Sequence, residues 1–134
     1  MSVLEGKKIL LGVTGSIAAY KSIILLRLLK REGADVQVIF SDSANNFVTQ
    51  LTFSTLSEKK VLTDFFEDDD KVEWVNHVEL AEWADYMIIA PITSSTLSKL
   101  VSGNSDNLLV ATYMSTKCDV FFAPAMDLEM YNSE

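Results

Sequence analysis

A three-layer α/β/α fold, with helices on both faces of a mainly parallel sheet, is what this chain predicts, and three observations carry that reading. Four short apolar runs, at about 8–14, 35–41, 86–91 and 119–124, are rich in Val, Ile, Leu or Phe and do not alternate cleanly with polar residues. That is the pattern of strands covered on both faces. The stretches between them read as capped or amphipathic helices, and strands alternating with helices imply right-handed βαβ units. Each apolar run is also followed by glycine, hydroxyl or turn residues: Thr14-Gly15-Ser16, Ser41-Asp42-Ser43, Pro91-Ile92-Thr93-Ser94 and Pro124-Ala125-Met126-Asp127. In a parallel sheet these four loops lie along one edge, where ligands collect.

The elements follow in order. The first strand runs into a helix over 16–31, with Ile17, Ile24, Leu25, Leu28 and Leu29 at helical spacing and Gly33 as its stop. A helix from Ser43 towards Gln50 follows the second strand. Residues 76–84 form another, with His77, Leu80, Ala81 and Ala84 on one face. A helix over 94–102 ends at Gly103, and one over 106–116 starts at Asp106, a good cap residue. At 134 residues and 49% apolar content, the chain fits one domain with a single core.

Composition excludes several classes. A formal charge of −8 opposes a phosphate backbone, so nucleic acid is not expected as a partner. No apolar run approaches the roughly 20 residues that cross a bilayer, and Glu5, Lys7 and Lys8 interrupt any signal-peptide pattern. A membrane is therefore not expected and a cytoplasmic location is. The single Cys118 is compatible with that compartment and reads as a buried structural thiol at the start of an apolar run. Glu67-Asp68-Asp69-Asp70 lacks the ligand spacing and glycine of a calcium loop. It reads as a solvated acidic loop, and no metal site is expected.

The most informative stretch is Gly12-Val13-Thr14-Gly15-Ser16-Ile17-Ala18-Ala19-Tyr20-Lys21. An apolar strand enters a tight turn that opens into a helix, which aims backbone N–H groups and a positive helix end at one point, a suitable seat for phosphate. The plain alternative is that Gly12 and Gly15 only make the turn. The glycines read G-x-x-G rather than the dinucleotide G-x-G-x-x-G, and the second strand ends in Phe40-Ser41, with Asp42 just beyond. A hydroxyl there suits a phosphate better than a ribose diol, favouring a mononucleotide such as FMN over NAD. No G-K-[ST] follows, which excludes the P-loop.

Six segments then occur in order: Gly15-Ser16-Ile17-Ala18-Ala19-Tyr20-Lys21, Asn76-His77-Val78-Glu79-Leu80, Trp83-Ala84-Asp85, Ala90-Pro91-Ile92-Thr93, Gly103-Asn104-Ser105-Asp106-Asn107-Leu108-Leu109 and Pro124-Ala125-Met126-Asp127-Leu128-Glu129-Met130-Tyr131. Together they resemble the homo-oligomeric flavin-containing cysteine decarboxylase family, and within it the phosphopantothenoylcysteine decarboxylases of the bifunctional coenzyme A biosynthesis flavoproteins. The resemblance implies a Rossmann-like flavoprotein fold and FMN-dependent decarboxylation of 4′-phosphopantothenoylcysteine to 4′-phosphopantetheine. The flavin supplies the redox chemistry that makes the carboxylate a leaving group, and the protein orients and handles protons. His77 matches the family's catalytic histidine, and a neutral imidazole is a suitable acceptor for a thiol or carbon-bound proton. By the same matching Gly15, Ser16 and Ile17 line the FMN, Ser41 lies near its phosphate, Thr93, Ser94, Ser95 and Thr96 form a second flavin loop, and Ala125 borders the ring system. Met126 and Asp127 fall to the substrate. The Asp106-Asn107 pair matches a family motif and reads equally well as a helix cap and turn.

The family's assemblies, homotrimers or homododecamers with FMN at a subunit boundary, are likewise implied. The aromatic residues Phe47, Phe53, Trp74 and Trp83 are compatible with them. Two departures stand out. Asp127 occupies the place of a family asparagine expected to bind the substrate carboxylate. An amide can donate to a carboxylate and an ionised aspartate cannot. The family domain also continues for several dozen residues past the Pro124 motif, including a flap whose cysteine protonates the enethiol. Residues 1–134 are thus expected to be a fragment of one FMN-binding decarboxylase domain, with Cys118 not the flap cysteine. Two other classes remain as alternatives: a flavin prenyltransferase-like protein, from which the Ile17–Lys21 continuation and His77 point away, and a non-catalytic regulatory subunit on the same fold.

Overall fold

The computed structural model describes residues 3–63 and 76–124. Four strands, β1 (Lys8–Val13), β2 (Asp35–Phe40), β3 (Tyr86–Ile92) and β4 (Asp119–Pro124), form one sheet in the order β2-β1-β3-β4. Every pairing is parallel: Lys8 lies opposite Asp35, Ile9 opposite Tyr86, and Tyr86 opposite Asp119. The order reverses between β1 and β3, which makes that gap the topological switch point. Leu62 adds one parallel bridge outside β2, where its N–H donates to Val38 O at 3.1 Å and Phe40 N–H donates to its carbonyl at 2.9 Å.

Five helices cover the sheet: α1 (Lys21–Arg31), α2 (Gln50–Ser57), α3 (His77–Trp83), α4 (Ser94–Ser102) and α5 (Leu108–Ser115). Along β1 and β2 successive side chains enter opposite cores. Ile9, Leu11, Val13, Val36, Val38 and Phe40 pack with Leu26, Leu29 and Phe53 of α1 and α2. Leu10, Ile39, Met87 and Ile89 pack with Leu100, Leu108 and Leu109 of α4 and α5, with Leu80 and Trp83 of α3 at the margin. Phe40 and Phe53 meet edge to face at 5.0 Å. The three expected layers are present.

Several boundaries differ from expectation. The helix read over 16–31 divides into a 3-10 turn at Ile17–Tyr20 and then α1. Of the expected stripe only Leu29 is buried and Leu25 partly so; Ala19, Ser22 and Leu26 complete the inner side. Small residues let the first turns sit close to the sheet, while Ile17, Ile24 and Leu28 point outward. After β2, Asp42–Asn46 is only a 3-10 turn, and α2 begins at Gln50 behind the cap Thr49, placing Phe53 in the core. The cap of α5 is Asn107, whose Oδ1 accepts from Val110 N–H at 2.9 Å, rather than Asp106, which pairs with Lys99 at 3.2 Å.

β4 is the sheet's edge among the described residues. It is largely exposed rather than covered on both faces, with Phe121 and Phe122 only leaning on Tyr86 and Tyr113. Cys118 sits just before β4 and is half-buried, 3.4 Å from Thr116 Oγ1. Gly12 is not part of the turn. It lies inside β1, where a Cβ would come within 2.6 Å of Leu109 Cδ1, so its missing side chain admits α5.

Candidate functional site

The loops after β1, β2 and β3 meet at the C-terminal edge of the sheet. Gly15 packs on the loop after β2: a Cβ there would lie 2.6 Å from Ser43 Cβ and 2.8 Å from Ser43 carbonyl carbon. Only glycine permits so close an approach. Ser41 is buried. Its N–H donates to Val13 O at 2.9 Å, and its hydroxyl lies 3.2 Å from that of Ser43. Ser16 caps the 3-10 turn, its Oγ accepting from Ala18 N–H at 3.1 Å. Ile17 stands 79% exposed at the rim, so its side chain is available to a ligand or to another subunit.

On the other side of the switch point, Thr93 caps α4, its Oγ1 accepting from Thr96 N–H at 3.2 Å and lying 3.1 Å from Thr96 Oγ1. Thr96 is buried, while Ser94 and Ser95 are exposed at the start of the helix. First-turn amides have no intrahelical acceptor. Among the described residues the N–H groups of Gly15, Ser16, Ser94 and Ser95 meet no acceptor. Two sets of open amides therefore flank the switch point, each beside a hydroxyl, as an anion requires.

His77 opens α3. The Asn76 side chain caps that helix, its Oδ1 accepting from Val78 N–H at 2.9 Å and Glu79 N–H at 3.2 Å. Asp85, just beyond α3, bonds Lys8 in both directions: its N–H donates to Lys8 O at 2.7 Å, and Lys8 N–H donates to its Oδ2 at 2.8 Å. This anchors the end of α3 at the N-terminal edge. Seven residues of helix, about 10 Å along its axis, run from the half-buried His77 to that anchor. The Trp83-Ala84-Asp85 segment thus has a structural duty, as do Asp106 and Asn107.

The structure brings Gly15, Ser16, Ile17 and Ser41 together on one side and Thr93, Ser94, Ser95 and Thr96 on the other. Ala125, Met126 and Asp127 lie outside the described residues, as do the acidic run Glu67–Asp70 and Trp74. Sequence reasoning placed Thr14 and Ser43 in the edge loops but gave neither a role in the site. Ser43 supplies the surface against Gly15. Thr14, fully buried, donates through Oγ1 to Pro91 O at 2.7 Å and accepts from Thr93 N–H at 3.0 Å. A lone hydroxyl closing an otherwise apolar run was the available signal for Thr14.

A doubly wound α/β domain with open amides grouped at its switch point belongs to the nucleotide-cofactor class. The family model "Flavoprotein" matches residues 2–134, and the chain belongs to that family. It is 40% identical over 133 residues to the coenzyme A biosynthesis bifunctional protein CoaBC of Vibrio vulnificus strain YJ016, covering 99% of this chain and 33% of that protein. The chain thus spans about a third of the length of the curated relatives it matches. Among solved structures, the FMN-dependent cysteine decarboxylase SpaF superposes with a TM-score of 0.85 at 26% identity, covering 98% of this chain and 75% of that one. A PPC decarboxylase mutant complexed with pantothenoylaminoethenethiol gives 0.80 at 29% identity, covering 96% and 72%.

Proposed function

We propose that this chain is an FMN-dependent decarboxylase domain acting on 4′-phosphopantothenoylcysteine in coenzyme A biosynthesis. The observation that carries this reading is the double cradle at the switch point. The Gly15 contact with Ser43, the buried Ser41 hydroxyl and the open amides of Gly15, Ser16, Ser94 and Ser95 fit a phosphate-bearing planar cofactor. β2 ends in Phe40 and Ser41, with Asp42 just beyond, a hydroxyl where a ribose-binding site favours a carboxylate. The named relatives support the substrate: CoaBC proteins by sequence and a PPC decarboxylase by structure.

Bound FMN would supply the two-electron chemistry. In this reading Gly15, Ser16 and Ser41 hold the phosphate through N–H and hydroxyl donors, and Ser94 and Ser95 donate from the second loop. Ile17 presents an apolar wall. His77, held at the start of α3 by the Asn76 cap, accepts a proton from the substrate's cysteine unit and passes it to solvent or product. Ala125, Met126 and Asp127 remain assigned to the flavin ring and the substrate through their motif alone. We place the protein in the cytoplasm. Among the described residues no helix is long and apolar enough to cross a membrane.

Self-association as a homotrimer or homododecamer belongs to the same proposal. Ile17, Tyr20, Ile24 and Leu28 form an exposed stripe along one side of α1 and the turn before it, and Phe47 and Leu51 are exposed too. Such apolar surface is more than scattered exposure explains. The deciding experiment is a titration of the purified protein with FMN, read by flavin fluorescence, with CO₂ release from 4′-phosphopantothenoylcysteine measured on the same sample. Saturable binding with CO₂ release is the expected result. Binding without release favours a non-catalytic subunit, and no binding removes the flavin reading.

A further inference from the structure

Near the end of β3 the pairing with β4 is irregular. Pairing with β4 shifts between Ile89 and Ile92, and both carbonyls in that gap are taken by hydroxyls from the other side of the switch point. Ser22 Oγ of α1 donates to Ala90 O. Thr14 Oγ1 donates to Pro91 O at 2.7 Å, and Thr14 N–H approaches the same carbonyl at 3.3 Å. Thr14 Oγ1 then accepts from Thr93 N–H at 3.0 Å. One hydroxyl, with no exposed surface, therefore uses its proton and a lone pair to pin the residues on both sides of Ile92.

Thr14 sits immediately before Gly15 and Ser16. Thr93 sits immediately before Ser94 and Ser95. The two sets of open amides thus hang from the two ends of this one clasp. We propose that Thr14 is a positioning residue: its hydroxyl fixes the separation of the β1 and β3 loops and so sets their affinity for FMN, without itself touching the ligand. This rests on the FMN reading above.

The pair Thr14→Val and Thr14→Ser tests it. Valine keeps the shape and removes both bonds of the hydroxyl, leaving Thr93 N–H without its acceptor and Pro91 O with only the 3.3 Å approach of Thr14 N–H, whereas serine keeps the hydroxyl. Two quantities are read: the FMN dissociation constant by fluorescence titration, and hydrogen exchange at the Thr93 amide in the FMN-free protein. T14V is expected to weaken FMN by about tenfold or more and to speed Thr93 exchange by a similar factor, with T14S within about threefold of wild type in both. Fast Thr93 exchange in T14V with unchanged FMN affinity overturns the proposal and leaves the flavin reading standing. Equal weakening in T14S and T14V overturns it too, since the methyl rather than the hydroxyl would then matter. A wild-type protein that takes up no FMN ends both. Should T14V not fold, the wild type still decides the matter. In the FMN-free protein the bonded Thr93 amide is expected to exchange about tenfold or more slowly than the open Ser94 amide, and equal rates, corrected for intrinsic exchange, overturn the clasp.

Discussion

At the N-terminal end of the sheet the backbone ties off against itself. Gly6 N–H donates to Gly33 O at 3.0 Å, Asp35 N–H to Lys7 O at 2.8 Å, and Lys8 and Asp85 bond each other twice. Lys59 adds an ion pair to Asp35 at 2.9 Å and lies 4.6 Å over the Trp83 ring. The C-terminal end has comparable internal bonding through Thr14, Ser41 and Thr93, yet it keeps the amides of Gly15, Ser16, Ser94 and Ser95 in reserve. The difference lies in what each end leaves over. One end spends its polar groups on holding strands in register. The other adds side-chain hydroxyls to that task and leaves four backbone donors open.

That contrast can be broken deliberately. The largest effect is expected from His77→Asn, which removes the proposed proton acceptor. Turnover should fall by about 10²–10⁴ while the FMN dissociation constant and melting temperature stay near wild type, as spectroscopic titration and steady-state CO₂ release will show. Gly15→Ala should come next. The added methyl meets the Ser43 backbone at 2.8 Å, and FMN affinity should drop by about tenfold, equivalent to about 1.4 kcal/mol, with a smaller loss of thermal stability. At the opposite end, Asp85→Ala should cost about 0.5–1.5 kcal/mol in urea unfolding and leave FMN affinity unchanged. A large affinity loss there would erase the distinction between the two ends. Lys59→Met is expected to be smallest, about 0.2–1 kcal/mol, and to shrink further in high salt because its partners are half exposed.

Much of the fold was legible because burial on two faces leaves a strong mark. β1, β2 and β3 are apolar without alternation, and their ends fall within a residue or two of where the runs stop. β4 carries the same mark, and its position was read correctly, but its exposure was not. Phe121 and Phe122 record hydrophobicity, while exposure depends on neighbours that local sequence does not name. The helix after β2 was misplaced because Ser43 and Thr49 are both adequate caps. The choice between them is made by Phe53 finding Phe40 across the core. Asp106 and Asn107 posed the same ambiguity, and the carboxylate went to Lys99. Of the site, the glycine and hydroxyl loops were readable as types. Their knotting was not, since Thr14 and Thr93 lie 79 positions apart.

The contact between Gly15 and Ser43 has a consequence for timing. Two loops packed this closely move together more than independently, so the proposed phosphate seat is largely shaped before any ligand arrives. Capture then involves little ordering of the chain. Uptake of flavin should proceed at the pace of ordinary bimolecular encounter, rising in proportion to flavin concentration without levelling off at a slow conformational step.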